Sequence, residues 1–289
     1  MRVVSTARIF LTMEKIIVSG EYFNVADTLN CGQVFRYEPH KKGFLVHSGE
    51  KSCYAYNENG CAVVECETGD AEYFHRYFDL DADYAAYVKA AEGSGVKILQ
   101  NAAAVGKGIR ILNQNAEETV ISFIVSQNNR IPRIRAILNR LSEDCGGKHA
   151  FGGERYPSFP SAETLAARDK SYFSAAGLGY RDEYVLSAAK ALSSGAAAGW
   201  AKLSSVDLKS CLCNLKGVGD KVAACIALFA FHRFDVFPAD TWMVKLYKED
   251  FGGTEKDAKK IAAYFAGLFG KNAGIFQQYM FHYKRNKKE

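Results

Sequence analysis

L-K-G-V-G-D-K-V-A-A-C-I-A-L-F-A-F-H-R-F-D-V-F-P-A-D, residues Leu215 to Asp240, is the stretch on which the fold of this chain turns. Gly217-Val218-Gly219 is a glycine turn between two runs of helical periodicity. The first spans Ser205 to about Asn214, with Leu208, Cys211, Leu212 and Leu215 on one stripe. The second spans about Lys221 to Phe231, with Val222, Cys225, Ile226 and Phe229 facing inward. Two helices joined this tightly make a helix-hairpin-helix. Its glycines let another backbone pass close, and the free N–H groups that open the second helix suit a phosphate. Gly217, Val218 and Gly219 are therefore the candidate DNA-phosphate contacts.

Lys221 occupies the first turn of that second helix, where the helix dipole disfavours a cation and lowers its pKa. A lowered pKa is what an amine needs to act as a nucleophile toward carbon. Asp220 works the other way, and the sequence leaves the net direction open. A solvated lysine pairing with a DNA phosphate would explain the hairpin alone. Asp240 changes the balance. It precedes the amphipathic run Thr241–Tyr247 and so reads as a helix N-cap. One helix and a return separate it from Lys221, which brings a carboxylate back toward an amine. An amine and a carboxylate flanking a DNA-binding turn suggest cleavage of a glycosidic bond.

L-K-G-V-G-D-K-V-A-A-C followed by F-P-A-D resembles the helix-hairpin-helix, Gly/Pro-rich loop and aspartate of the DNA glycosylases. The hairpin lysine marks their bifunctional glycosylase/lyase members. More closely, the chain is similar to the 8-oxoguanine DNA glycosylases, with matches scattered from about Asn30 to about Phe281. That resemblance implies that Lys221 attacks C1′ of the damaged nucleotide and that Asp240 assists. It implies further site residues too. In L-N-C-G-Q-V-F-R, Gly32 corresponds to the glycine whose carbonyl accepts the N7–H that oxidised guanine has and guanine lacks. Gln277 and Phe281, one helical turn apart, would bond the purine edge and stack on its ring. Cys225 would face the other side of the purine. In S-Q-N-N-R-I-P-R, Asn128 would fill the gap left by the flipped base and Arg133 would read the opposite cytosine. Tyr180 would wedge beside the unstacked base, and Arg181 would contact the cytosine. Many relatives carry a phosphate-binding His two residues after the aspartate. Trp242 stands there in this chain and carries no charge, so that contact is not assigned.

The 289 residues suffice for two or three packed layers. A net charge of +5, from 37 Lys and Arg against 32 Asp and Glu, is compatible with nucleic acid but does not argue for it alone. None of the eight Cys forms a C-x-x-C pair, so they read as reduced thiols. No Cys follows Cys225, which leaves out the four-Cys iron–sulfur loop of some related glycosylases. The chemistry calls for no metal or organic cofactor. No apolar run reaches membrane-spanning length. The expectation is a cytoplasmic monomer whose partner is double-stranded DNA with 8-oxoguanine opposite cytosine.

From Met13 to about Glu67 short β-branched and aromatic runs alternate with turns, which predicts an antiparallel meander. Its strands are placed at 15–18, 34–37, 43–47, 53–56 and 62–66, with Asn59-Gly60 as a hairpin turn. Helices dominate from Tyr73 onward, with loops at Gly146-Gly147, Gly152-Gly153 and 157–160. The expected class is α+β: an N-terminal antiparallel sheet domain, then a two-lobed, mostly helical region with the active site between lobes. The divisions are residues 13–100 for the sheet domain, 101–248 for the helical domain with the hairpin at 205–231, and 249–289 for the C-terminal helices completing the base pocket. Residues 1–12 read as an upstream extension or a mis-called start. Two other functions compete: a glycosylase for another damaged base, against which Lys221 argues, and a non-catalytic hairpin module that only binds DNA.

Overall fold

In the computed structural model the described residues are 13–286, so the expectation about residues 1–12 lies outside them. Five strands, β1 (Met13–Ser19), β2 (Tyr37–His40), β3 (Gly43–Ser48), β4 (Lys51–Glu58) and β5 (Cys61–Glu67), form one antiparallel sheet in the order β1-β5-β4-β3-β2. β2 to β5 are the expected meander, and β1 returns to the open edge of β5. Asn59 and Gly60 both take positive φ (50° and 75°), the geometry a two-residue turn needs to match strand twist.

The second strand begins later than the sequence suggests. Residues 34–36 are held mainly by side chains, with one backbone bond, from the His47 N–H to the Arg36 carbonyl at 3.0 Å. The buried Gln33 amide donates to the carbonyls of Thr28 (2.9 Å) and Arg110 (2.7 Å) and accepts from the Leu112 N–H (2.9 Å). Arg36 pairs with Glu118 at 3.2 Å and donates to the Pro157 carbonyl at 2.8 Å. These bonds fasten the sheet to the helical part. Pro39, which lacks a donor, falls on the edge strand β2, where one is not needed.

Helices α1 (Val25–Asn30) and α2 (Ala71–Tyr77) cover one face of the sheet, burying Phe23, Leu29, Phe74 and Phe78 against Val46 and Val64. On the other face sits a hairpin that sequence periodicity missed, β6 (Lys148–Phe151) and β7 (Glu154–Pro157), packed through Phe151 and Tyr156 on Leu45, Tyr54 and Tyr56. The remaining helices are α3 (Tyr84–Glu92), α4 (Lys97–Gly106), α5 (Ala116–Ser126), α6 (Ile131–Cys145), α7 (Ala162–Ala166), α8 (Lys170–Ala175) and α9 (Asp182–Ser193). They continue as α10 (Ser205–Cys213), α11 (Asp220–Phe231), α12 (Thr241–Asp250), α13 (Ala258–Phe269) and α14 (Ala273–Asn286). The apolar α11 packs on α5, α10 and α13. α14 lies along α4. The divisions expected at 100 and at 248 fall inside α4 and α12, so helices run through both positions.

A polar chain stitches the small hairpin to the sheet. His47 Nδ1 meets Ser52 Oγ at 2.7 Å, Ser52 Oγ meets His149 Nε2 at 2.5 Å, and His149 Nδ1 meets Ser158 Oγ at 3.0 Å. Burial pushes the His47 pKa down to about 3, with Arg36 and His149 adding to the shift, and burial lowers His149 as well. The unfolded chain therefore takes up these protons first. Stability from His47 is whole above about pH 6.5 and is lost as pH falls from there toward 3, by about 1.4 kcal/mol per pH unit, and His149 adds loss in the same direction. Thermal unfolding from pH 7.5 to 5 is expected to show a falling midpoint, and the His47→Gln/His149→Gln double variant a flatter slope. Parallel slopes in the two proteins would contradict this assignment.

Candidate active site

The hairpin comes out within a residue of its expected bounds. Val218 is buried, and its N–H donates to the Leu215 carbonyl at 3.0 Å, which closes the turn and takes that donor away from a phosphate. Gly217 has φ +81°, and a Cβ there would lie 2.3 Å from the Tyr184 ring, so only glycine fits. Gly219 begins α11 in extended conformation with open space around it. Asp220 points away from Lys221 and pairs with Lys209 at 2.9 Å. Gly217→Ala combines a strained φ with a clash against a ring, and is expected to cost on the order of 2–3 kcal/mol of stability. Chemical denaturation checks it, since an unchanged midpoint would mean the turn tolerates a side chain.

α11 puts Lys221, Cys225 and Phe229 along one side of a cavity, one turn apart. Asp240, just ahead of α12, closes the same cavity and is the one carboxylate on its walls among the described residues. It also caps α12, accepting from the Met243 N–H at 3.0 Å. The Lys221 ammonium lies over the Phe123 ring, 5.7 Å from its centre, with Cys225 on the same cavity wall. The amine is held above its ordinary range by the Cys225 sulfur first. Burial works against this, and the Asp240 carboxylate adds to the rise. Burial pushes the Cys225 thiol up in turn, against the pull of Lys221. The free protein thus holds an ammonium at pH 7. Burial also raises Asp240, opposed by the Met243 N–H and by Lys221.

The opposite wall comes from the two ends of the chain. After α1 the backbone turns at Gly32 (φ +85°) and passes against Phe281, whose ring would be 3.5 Å from a Cβ at Gly32. Cys31 beside it donates to the Thr28 carbonyl at 3.1 Å, and burial pushes its pKa to about 12. From α14, Gln277, Gln278 and Phe281 reach the cavity. The open space is about 40 Å³, room for a water or two, so a purine enters only if these side chains move apart.

A wide groove of about 760 Å³ leads to Lys221 and Asp240, with Asn128 and Tyr180 on its walls. Asn128 is exposed at φ +45°, while Asn129 ties down the end of α5 through the Val125 carbonyl at 3.1 Å. The capping role thus belongs to Asn129, and Asn128 is presented outward. Tyr180 is 54% exposed, and Arg133 is exposed with one donor on the Gly177 carbonyl at 2.9 Å. Arg181 departs from the surface contact expected of it. It is 4% exposed, lies 4.3 Å from the Tyr180 ring centre, and spends its donors on the carbonyls of Gln127, Leu178 and Asn128. Its place is under the Asn128 loop, which it holds in shape.

The description of the 8-oxoguanine DNA glycosylase N-terminal domain matches residues 15–120, and that of the HhH-GPD superfamily base excision DNA repair proteins matches residues 121–271. The chain belongs to the 8-oxoguanine DNA glycosylase family. An N-glycosylase/DNA lyase from Saccharomyces cerevisiae is 29% identical over 267 residues, covering 82% of this chain and 70% of that protein. The N-glycosylase/DNA lyase OGG1 of Arabidopsis thaliana is 34% identical over 190 residues, which are 61% of this chain and about half (52%) of the plant protein. The Clostridium acetobutylicum 8-oxoguanine glycosylase/lyase, solved with double-stranded DNA containing cytosine opposite 8-oxoguanine, superposes with a TM-score of 0.88. It is 30% identical, covering 95% of this chain and 97% of that one. A 3-methyladenine DNA glycosylase from Archaeoglobus fulgidus, 15% identical with a TM-score of 0.77, shares the fold.

Set in the glycosylase family, the structure brings Gly32, Lys221, Cys225, Asp240, Gln277 and Phe281 to one cavity, and Asn128 and Tyr180 to the groove outside it. Sequence reasoning missed Gln278, Phe123 and Pro238, which share the cavity wall. The signal for Gln278 was present: a second amide in an otherwise apolar helical run, Ile275 to Met280. Nothing local marked Phe123, because a core phenylalanine and a cavity phenylalanine look alike in a sequence. Trp242 stands 37% exposed in the first turn of α12. Among the described residues no group of His, Cys, Asp and Glu is placed to hold a metal ion, and no helix is long and apolar enough to cross a membrane.

Proposed function

We propose that this chain excises 8-oxoguanine opposite cytosine from duplex DNA and then cleaves the strand, working as a DNA glycosylase and lyase in the cytoplasm. The observation that carries the reading is the meeting of Lys221 and Asp240 in one buried cavity with Gly32, Cys225, Gln277 and Phe281. The hairpin opens α11 toward a DNA phosphate at Gly219, and the lesion leaves the stack and enters between Phe281 and Cys225. The Gly32 carbonyl accepts the N7–H of the lesion. Guanine would present a lone pair at that place, and two acceptors facing each other repel. Asn128 fills the vacated place, Tyr180 wedges the stack, and Arg133 reads the cytosine, with Arg181 supporting their loop.

Lys221 must shed its proton before it reacts, and Asp240 is the carboxylate within the cavity that can take it. The amine lone pair then forms a bond to C1′ as the C1′–N9 bond breaks, and the electron pair leaves with the base, which picks up a proton. The aminal opens to a Schiff base, loss of a C2′ proton expels the 3′ phosphate by β-elimination, and Asp240 offsets the positive charge at the sugar. Single-turnover release of base from duplexes carrying 8-oxoguanine opposite each of the four bases tests the reading. It calls for release opposite cytosine ahead of the others and none from undamaged guanine, whereas release of an alkylated base in preference to 8-oxoguanine would overturn it.

A further inference from the structure

The two amides of α14 are unequally satisfied. Gln278 Nε2 donates to Gln277 Oε1 at 2.7 Å, but Gln278 Oε1 is buried and has no partner. Gln278 is 4% exposed and lines the same cavity as Lys221 and Gln277. A buried carbonyl without a donor is costly, and native proteins leave few of them. Most buried amides that the fold needs find their partner within the fold, as Gln33 does with three bonds. Gln278 has instead an acceptor left over at the edge of a cavity made for a base.

The donor that would satisfy it must come with the base, and the purine edges differ in what they supply. A guanine-type edge offers N1–H and the 2-amino group as adjacent donors. A hypoxanthine-type edge offers N1–H alone, and an adenine-type edge puts an acceptor at N1. Two neighbouring carboxamides, one carbonyl from each, match the guanine-type pair. We propose that Gln278 is a specificity-determining residue, its carbonyl accepting a hydrogen bond from the 2-amino group of the flipped base while its N–H orients Gln277. This rests on the functional reading above and adds to it: the enzyme reads the amino edge of its lesion as well as the oxidised edge at Gly32.

The test compares 8-oxoguanine with 8-oxohypoxanthine, which keeps N1–H and N7–H but lacks the 2-amino group, each opposite cytosine in the same duplex. The native protein is expected to release 8-oxoguanine about 10- to 100-fold faster in single turnover, the discrimination that loss of one buried hydrogen bond produces. Gln278→Met keeps the length and removes the acceptor. Because it also removes the N–H that orients Gln277, it is expected to slow release of both bases, 8-oxoguanine by more, until the two rates nearly meet. Gln278→Glu, which retains an acceptor, is expected to keep a preference, and it decides the matter alone should the methionine variant fail to fold. A merely structural role would slow both bases alike and leave the ratio intact. The proposal falls if the ratio is unchanged in Gln278→Met, if Gln278→Glu loses it, or if the native protein does not distinguish the bases. A native protein that releases neither base overturns the functional reading itself.

Discussion

Lys221→Gln is expected to lower release of 8-oxoguanine by at least about 10³-fold, because the substitution removes the attacking group itself. Glutamine has nearly the same reach and leaves no buried cation opposite Asp240. The fold is therefore expected to hold, and lesion DNA to bind within about tenfold of the native affinity, since one cation among several is lost. The buried position of Lys221 gives a second handle. The Cys225 sulfur and Asp240 hold its pKa above the ordinary value, so the free protein carries the unreactive ammonium. Because Asp240 takes that proton inside the cavity, activation changes no net proton count, and the native rate is expected to stay nearly level between pH 7 and 9, as is the residual rate of Lys221→Gln. Base-release kinetics on both proteins, with a binding titration on inactive Lys221→Gln, check these outcomes. Equal loss of binding and release would make Lys221 a DNA contact only.

Asp240→Asn is expected to slow release by about 10²- to 10⁴-fold while leaving the thermal midpoint nearly unchanged. The reason for both halves is geometric. Asp240 holds α12 by accepting from the Met243 N–H at 3.0 Å, and an asparagine oxygen can do the same. What the amide cannot do is take a proton from Lys221 or offset positive charge at the sugar. Asp240→Ala separates the two jobs, because it removes the cap as well and is expected to cost about 1 kcal/mol of stability besides the activity. If Asp240→Asn were as active as the native protein, the carboxylate would be a cap and nothing more.

The parts of the structure that were legible in the sequence are those whose causes are local. Gly217 and Gly219, with apolar residues at helical spacing on either side, placed α10 and α11 to within a residue. Asn59-Gly60 placed the β4–β5 turn, since both residues adopt positive φ at little cost. The misses depend on partners far along the chain. The second strand was put at 34–37 because Val34 and Phe35 favour strands, but Gln33 and Arg36 are committed to residues about 80 positions away, and the ladder starts only at Tyr37. The β6–β7 hairpin has strands of four residues each, too short for a periodic signal, and owes its stability to Leu45, Tyr54 and Tyr56 beneath it.

The candidate site divides in the same way. Residues tied to a motif could be named one by one from the resemblance, and six of them meet at one cavity. Their protonation and accessibility could not be read. The sequence left the Lys221 shift open between the helix dipole and Asp220; Lys209 draws Asp220 aside, and it is the Cys225 sulfur and Asp240 that raise Lys221. Arg181 looked like any surface arginine before a helix, and only the carbonyls of Gln127 and Asn128 around it reveal a buried support. Gln278 went unnoticed because adjacent helical residues point about 100° apart, and the cavity takes both only because it wraps around α14.

Reduction with borohydride in the presence of a duplex carrying one 8-oxoguanine opposite cytosine, followed by peptide mapping of the product, tests the central claim most directly. The account requires a covalent protein–DNA adduct on Lys221, absent with Lys221→Gln and absent with undamaged duplex. An adduct on another residue, or base release with no adduct at all, would contradict it.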